Sequence, residues 1–145
     1  MLYQQTIETG ARALAIGPNP GVRYWIGLAM LMQRRDREAL AQFKAGTVSD
    51  PLPIAGEAIV AARAGDDASA QRIVDDLQKS AGLTVSYQFA QIYAQWGRLN
   101  QAFTHLDNAL RVKDPGLIYL RVDPMLAPIR GDQRFSALVK TLDFP

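Results

Sequence analysis

The stretch from Ser86 to Pro115, SYQFAQIYAQWGRLNQAFTHLDNALRVKDP, decides the fold. It predicts two amphipathic helices separated by a break at Gly97 and ended by the final Asp-Pro pair. Apolar residues recur three or four positions apart on each side of the break, at Phe89, Ala90, Tyr93, Ala102, Leu106 and Ala109. Small alanines beside large side chains allow two helices to approach closely and interdigitate. The stretch is therefore expected to form a helical hairpin.

The same pattern occurs twice more, nearer the N-terminus. Ala102 is matched by Ala70, 32 positions earlier, and by Ala39, a further 31 positions back. Gly97 is likewise matched by Gly65. The other matched positions are Ala58, Ala61, Val74 and Leu77 in one unit, and Gly27, Met30, Phe43, Gly46 and Pro51 in the other. Three units at almost one period predict a solenoid, in which each unit buries its apolar face on its neighbours.

These positions resemble those of a known repeat family. Ala90, Tyr93, Gly97, Ala102 and Leu106 fall at the spacing of the tetratricopeptide (TPR) repeat, a helix–turn–helix unit of ~34 residues. Because the period here is shorter, the chain is described as TPR-like. The resemblance implies an all-α fold, a TPR-like α–α superhelix with a C-terminal capping helix. The chain is then a single domain over 1–145, with a partial repeat at 1–18, repeats at 20–51, 52–83 and 84–115, and a cap at 116–145.

The C-terminal segment resembles one that follows TPR-like repeats in many bacterial multidomain regulators. The matching residues are Leu120, Asp123, Pro124, Leu126, Ile129, Arg130, Asp132, Arg134, Phe135 and Leu138. Gln133 stands where that pattern has proline. With this segment the resemblance covers roughly residues 20–142. A cap of this kind has a physical purpose, because the last repeat of a solenoid exposes an apolar face that must be covered.

The remaining helices are predicted from periodicity, caps and breakers. They are expected at Leu2 to Ile16, Val22 to Arg34, Arg37 to Ala45, Ile54 to Ala64 and Ala68 to Lys79. Expected N-caps are Asp36, Asp123, Asp132 and one of Thr84 and Ser86. The first helix has no capping residue before it, which suggests that the chain is part of a longer protein.

Composition excludes several classes of function. A formal charge of +2 with scattered Lys and Arg does not favour nucleic-acid binding. The absence of cysteine rules out disulfides and thiol catalysis, and is compatible with the expected cytoplasmic location. No apolar run is long enough for a membrane span, and the N-terminus lacks the pattern of a signal peptide.

No residue pattern predicts catalysis, a metal site or a cofactor. His105 is the only histidine and is expected to be exposed on a helix. Asp75 and Asp76 are sequence neighbours, so on a helix they point about 100° apart and do not converge. Asp66 and Asp67 fall where turn and cap residues are expected. The chain is therefore predicted not to be an enzyme.

In a TPR stack the first helix of each unit lines the concave face. The resemblance places a partner-binding groove at Tyr24, Leu28, Leu31, Met32, Ile59, Arg63, Tyr87, Gln91 and Gln95. Such a groove suits an apolar helix or an extended peptide. The alternative is that these residues pack only against a missing repeat or against the C-terminal cap.

Two functions follow from the resemblance, which implies no activity of the chain's own. In the family, such repeats accompany cyclase, winged-helix or kinase domains, so the first function is a protein-interaction module within a larger bacterial signalling or transcriptional regulator. The alternative is an assembly domain that forms a homodimer through its apolar N-terminal helices. A third reading, small-molecule sensing, lacks a convergent polar cluster.

Overall fold

The structure is a computed structural model and describes residues 2–46 and 50–142. Every regular element in these residues is helical, which confirms the all-α class. The eight α-helices are α1 (Leu2–Ile16), α2 (Pro20–Met32), α3 (Asp36–Lys44), α4 (Pro51–Arg63), α5 (Asp67–Ala81), α6 (Ser86–Gln95), α7 (Leu99–Val112) and α8 (Gln133–Leu142). Short 3₁₀ helices occupy Gly82–Val85, Pro115–Tyr119 and Pro124–Ile129.

Two of the helices begin at a polar residue followed by proline. Asn19 Oδ1 accepts a hydrogen bond from the Val22 amide at 3.2 Å, and Asp50 Oδ1 accepts one from the Leu52 amide at 3.0 Å. The proline after each cap has no backbone N–H. At the first helical position this loss costs nothing, because an N–H there would have no partner within the helix. The expected caps at Thr84 and Ser86 are wrong. Their hydroxyls donate to the carbonyls of Ala81 and Leu83, and α6 begins without a side-chain cap.

The turns that end α2, α4 and α6 share one hydrogen-bond pattern. In each, a residue in the left-handed region follows the helix, namely Arg34, Gly65 and Gly97 with φ of 58°, 76° and 75°. The next amide then donates back to a carbonyl five residues earlier, as from Arg98 to Tyr93 at 2.9 Å. This is the Schellman motif, which satisfies carbonyls that the last helical turn leaves unpaired.

The helix after each of these turns also begins in the same way. The amides of Ala39, Ala70 and Ala102 donate to the residue four positions earlier, at 2.9 to 3.1 Å. All three alanine side chains are completely buried. The turn and the alanine therefore recur together, at intervals of 31 and 32 residues.

The chain divides into two compact units between Leu77 and Gln78. In the first unit, α2 packs against α1, α3 and α4, and α3 packs against α4. The ring of Phe43 on α3 lies against both Gly27 on α2 and Gly56 on α4. Since a glycine has no side chain, the backbones of these two helices can both approach the ring.

The second unit is built on α6 and α7, with the chain after α7 packed on α6. Asp123 caps the 3₁₀ helix that follows it, as expected, by accepting from the Met125 amide at 2.8 Å. The core residues of this C-terminal part are Leu117, Leu120, Met125, Leu126, Ile129, Phe135 and Leu138. The segment after α7 is thus an integral part of the unit's hydrophobic core.

Candidate functional site

The predicted groove residues of the first unit are largely buried. Tyr24, Leu28, Leu31 and Ile59 are each at most 5% exposed. The Tyr24 ring centroid lies 6.2 Å from that of Phe43, in the core of the unit. Met32, at the end of α2, keeps part of its surface exposed. The structure therefore places four of these residues in packing positions.

Arg63 joins the ends of two helices. Its Nε lies 3.3 Å from Asp36 Oδ2, so the last turn of α4 is paired with the first turn of α3. About a fifth of the Arg63 side chain remains exposed. The charges suit both helix ends, since a carboxylate is favourable at an N-terminus and a cation at a C-terminus. Of the predicted groove residues in this unit, Met32 and Arg63 are those that a partner could reach.

In the second unit, the predicted groove residues contact the chain's own C-terminal segment. Tyr87, Gln91 and Gln95 are spaced four apart on α6, and thus lie on one face of the helix. The Tyr87 hydroxyl and the Gln91 amide both donate to Asp123 Oδ2, at 2.8 and 2.7 Å. Gln95 donates to the Met125 carbonyl at 2.7 Å. A partner that bonded to these three groups would replace bonds that the chain makes to itself.

Asp114 and Asp123 form the other half of this polar cluster. Both carboxylates are buried. Asp114 accepts from the amides of Tyr87 and Gly116, at 3.0 and 2.8 Å, and so ties the start of α6 to the end of α7. Burial of a carboxylate is tolerated when donors replace its water, and here they do. This aspartate clamp, defined by the two carboxylates and their donors, fixes the path of the segment after α7.

The two aspartates are the residues that sequence reasoning missed. Each precedes a proline, a pattern that predicts only a helix stop or a cap. Local capping is indeed present, because each carboxylate accepts from the amide two residues on. Their second partners lie on α6, 27 and 36 residues away in the chain. No local pattern indicates those partners.

His105 is not exposed, and that expectation is wrong. Its ring stacks on Tyr93 at 5.3 Å between centroids and 12° between planes, and it also contacts the ring of Phe89. Its Nδ1 is buried and has no hydrogen-bond partner in the part of the chain that the structure describes. Burial lowers the pKa of His105, because the charged imidazolium loses hydration.

The stack continues beyond His105. Trp96 lies nearly parallel to Tyr93, 5.8 Å away, and the Arg98 guanidinium lies 3.7 Å above the Trp96 ring. This geometry is favourable because the ring face is electron-rich and attracts the cation. The stack therefore stabilises the turn after α6 through ring and cation–π contacts.

Within residues 2–46 and 50–142, no group of three or more His, Asp or Glu side chains is arranged to hold a metal ion.

An apolar groove runs along the surface of the first unit between α1 and α2. It encloses about 410 Å³, and is lined by Leu2, Gln5, Thr6, Thr9, Gly10, Ala13, Val22, Trp25 and Ile26. The Trp25 side chain is 46% exposed and Leu2 is 71% exposed. Single exposed apolar side chains are common, but several around one groove are typical of contact surfaces.

Comparison with known proteins adds no relative. No protein-family model, curated protein or solved structure matches this chain. Among the described residues, no helix combines the length and the hydrophobicity that crossing a membrane requires.

Proposed function

We propose that this chain is a TPR-like helical-repeat module that binds another protein, as part of a larger bacterial signalling or transcriptional regulator. The observation that carries the proposal is the recurrence of one turn geometry at Arg34, Gly65 and Gly97, each followed by a fully buried alanine. The proposal includes a superhelix closed by the C-terminal segment, a cytoplasmic location and no catalytic activity of its own.

Repeat architecture supports binding because stacked helix pairs present an extended surface made of many small contributions. Of the predicted groove residues in the first unit, Met32 and Arg63 keep surface that a partner can contact. Arg63 supplies a cation, and Met32 supplies an apolar thioether side chain. Arginine is enriched at the energetic centres of interfaces, since its planar fork forms several hydrogen bonds at once. The partner is therefore expected to carry a carboxylate for Arg63 and an apolar side chain for Met32.

Affinity capture with matched arginine variants tests this proposal. The immobilised chain should retain one protein reproducibly, and the purified captured protein should bind it in calorimetry. Arg63→Glu should weaken that binding at least tenfold. Arg72→Glu, at an exposed arginine on α5, is the control and should leave the binding unchanged. If no protein is retained, or if both variants bind equally well, the proposal that the chain is a protein-binding module loses its support.

A specific observation favours assembly as the second candidate function. The apolar groove between α1 and α2 lies on the surface of the first unit, and two of its lining residues, Trp25 and Leu2, are exposed. Covering such a surface with a second copy would release water from apolar area. Light scattering at micromolar concentration tests the assembly role, and a monomer throughout would rule it out.

A further inference from the structure

The two compact units differ in charge. Residues 1–77 carry eight Lys and Arg against nine Asp and Glu, and are therefore close to neutral. Residues 78–145 carry eight Lys and Arg against five Asp, so the net positive charge of the chain belongs to the second unit. A unit of this charge attracts anionic partners.

The segment after α7 separates its charges between core and surface. Asp114 and Asp123 are buried, and their carboxylates accept hydrogen bonds from groups of the same unit. Lys113 and Arg121 alternate with them in the sequence, and both are exposed. Neither cation has a carboxylate partner in the part of the chain that the structure describes. Residues 113–123 are thus balanced in formal charge, but present only their cations at the surface.

Arg130 adds a third cation to this surface. Its Nη2 donates to the backbone carbonyl of Asp123 at 2.7 Å, which places the guanidinium beside the end of the segment, next to Val122. The carbonyl is neutral, so this hydrogen bond positions the guanidinium without compensating its charge.

Apolar side chains project between these cations. Leu117 and Leu120 lie three positions apart in a helical turn and are buried, so they form its inner side. Ile118, Tyr119 and Val122 lie on its outer side, and are 66%, 42% and 73% exposed. We call this surface the basic apolar turn, which consists of Lys113, Ile118, Tyr119, Arg121, Val122 and Arg130.

The aspartate clamp holds the basic apolar turn in one shape. Asp114, near its start, accepts from the Tyr87 amide at 3.0 Å, and Asp123, near its end, accepts from the Tyr87 hydroxyl at 2.8 Å. Both ends are therefore tied to the same residue of α6, and backbone hydrogen bonds close the turns between them. A surface that is already ordered loses little conformational entropy when it binds.

We propose that the basic apolar turn docks on the surface of a membrane that contains anionic lipid. The three cations then lie at the level of the lipid headgroups, where each is attracted to the negative surface potential. Ile118 and Val122 reach the boundary of the acyl chains and leave water. Tyr119 lies beside them, and tyrosine is favoured at this depth because its ring is apolar and its hydroxyl is polar.

A membrane fits this surface better than an acidic protein or a nucleic acid does. Ile118 and Val122 project from the unit, so a protein partner would need a matching apolar pocket, whereas a bilayer receives projecting side chains without one. Nucleic acids are bound through hydrogen bonds and by stacking on aromatic rings, and branched aliphatic side chains supply neither.

Vesicle co-sedimentation of the full chain at physiological ionic strength measures the docking. The wild type should bind vesicles of phosphatidylcholine and phosphatidylglycerol in equal parts, and should not bind vesicles of phosphatidylcholine alone. Arg121→Glu should weaken the binding about tenfold or more, since each cation near an anionic surface contributes to affinity. Arg37→Glu makes the same change of charge at an exposed position in the first unit, and should leave the binding nearly unchanged.

The apolar contribution has its own pair of variants. Ile118→Ser together with Val122→Ser should weaken the binding about tenfold, because two aliphatic side chains no longer leave water. Leu83→Ser, at another exposed apolar residue of the second unit, is the control and should bind as the wild type does. Circular dichroism checks that all of these variants stay helical, as expected for substitutions at exposed positions.

A single fluorophore reports insertion directly, because the chain has no cysteine of its own. An environment-sensitive dye attached to Val122→Cys should shift its emission to shorter wavelength on the anionic vesicles, since it moves out of water. The same dye on Leu83→Cys is the control, and should keep the emission that it has in the free chain.

The proposal is overturned if the wild type does not bind the anionic vesicles, or if Arg121→Glu and Arg37→Glu bind them alike. A dye at residue 122 that stays in water overturns it as well. Soluble polyglutamate that binds as tightly as the vesicles would also overturn it, and would indicate an acidic protein partner. The protein-binding surface proposed at Met32 and Arg63 lies in the first unit, so none of these outcomes affects it.

Discussion

The hydroxyl group of Tyr87 on α6 donates a 2.8 Å hydrogen bond to the buried carboxylate of Asp123, which lies 36 residues further along the chain. The same carboxylate oxygen accepts from Gln91 at 2.7 Å. This bond therefore links the polar face of α6 to the segment that caps the second unit. Its removal should loosen the cap without changing the shape of the apolar core.

Tyr87→Phe is expected to lower the free energy of unfolding by about 1.5–3 kcal/mol, as is typical for a lost hydrogen bond to a charged group. In an Asp123→Asn background the same substitution should cost less, because the charged acceptor is already gone. Urea unfolding of the four proteins of this double-mutant cycle measures the difference. Tyr3→Phe is the control and should change stability by less than about 0.5 kcal/mol. An equal cost in both backgrounds would contradict the bond.

Gly56→Ala should destabilise the first unit through overpacking. The added methyl group would lie 2.5 Å from Phe43 Cδ1, well inside van der Waals contact. The expected cost is about 1–3 kcal/mol in thermal or urea unfolding. Gly17→Ala is the matched control, since a methyl group there meets no atom within 4 Å.

Rescue separates overpacking from a general loss of stability. Phe43→Leu removes ring atoms near Gly56, so adding it to Gly56→Ala should cost less than the sum of the two single changes. If the costs of the two single changes simply add, the Phe43 ring is not what excludes a larger side chain at residue 56.

Most of the local structure was predictable from the sequence. α1 has the predicted bounds, and the bounds of α2 to α5 differ from the predictions by three residues or fewer. Capping residues, prolines and the 3.6-residue periodicity are local signals, and local hydrogen bonds decide where a helix begins and ends. The matched positions Ala39, Ala70 and Ala102 are all buried, because a small side chain was required wherever two helices meet.

The candidate site was less predictable, because its contacts join residues that are far apart in the sequence. Nothing in the residues near Asp123 indicates that its carboxylate reaches Tyr87 and Gln91. The burial of His105 depends in the same way on rings contributed by another helix. Periodicity predicts which face of a helix is apolar, but not which segment of the chain covers it.

Arg34→Gly is expected to stabilise the chain. Arg34 takes the left-handed conformation that glycine takes at the two equivalent turns. A side chain costs roughly 1–2 kcal/mol in this conformation. Glycine removes that cost but gives the unfolded chain more freedom, a loss of about 0.4–1 kcal/mol. The net gain should lie between about 0 and 1.6 kcal/mol in urea unfolding.

Two further substitutions test whether the backbone conformation causes the predicted gain in stability. Gly97→Ala should destabilise by a similar amount, since it introduces a side chain at φ of 75°. Ala64→Gly, at a right-handed position with φ of −77°, should also destabilise, by about 0.5–1 kcal/mol. A loss of stability on Arg34→Gly would show that the arginine side chain stabilises the folded state by more than its left-handed backbone conformation destabilises it.

Acidification should destabilise the chain through His105. Burial lowers its pKa in the folded state, so the folded chain takes up the proton less readily than the unfolded chain does. Above the ordinary histidine value of about 6.5, both states are neutral at this residue and it contributes no pH dependence. As the pH falls below that value, the unfolded state is protonated first and stability is lost, until the pH is below the lowered folded pKa.

Comparison with His105→Phe isolates this contribution, because phenylalanine keeps the ring contacts with Phe89 and Tyr93 but cannot titrate. The free energy of unfolding of both proteins is measured in urea from pH 8 down to pH 4.5. The carboxylates are common to both, so their titration cancels in the difference. Relative to the variant, the wild type should keep a constant stability above about pH 7 and lose stability steadily below about pH 6.5. Parallel profiles over the whole range, or a wild type that gains stability on acidification, would show that the folded state accommodates the imidazolium.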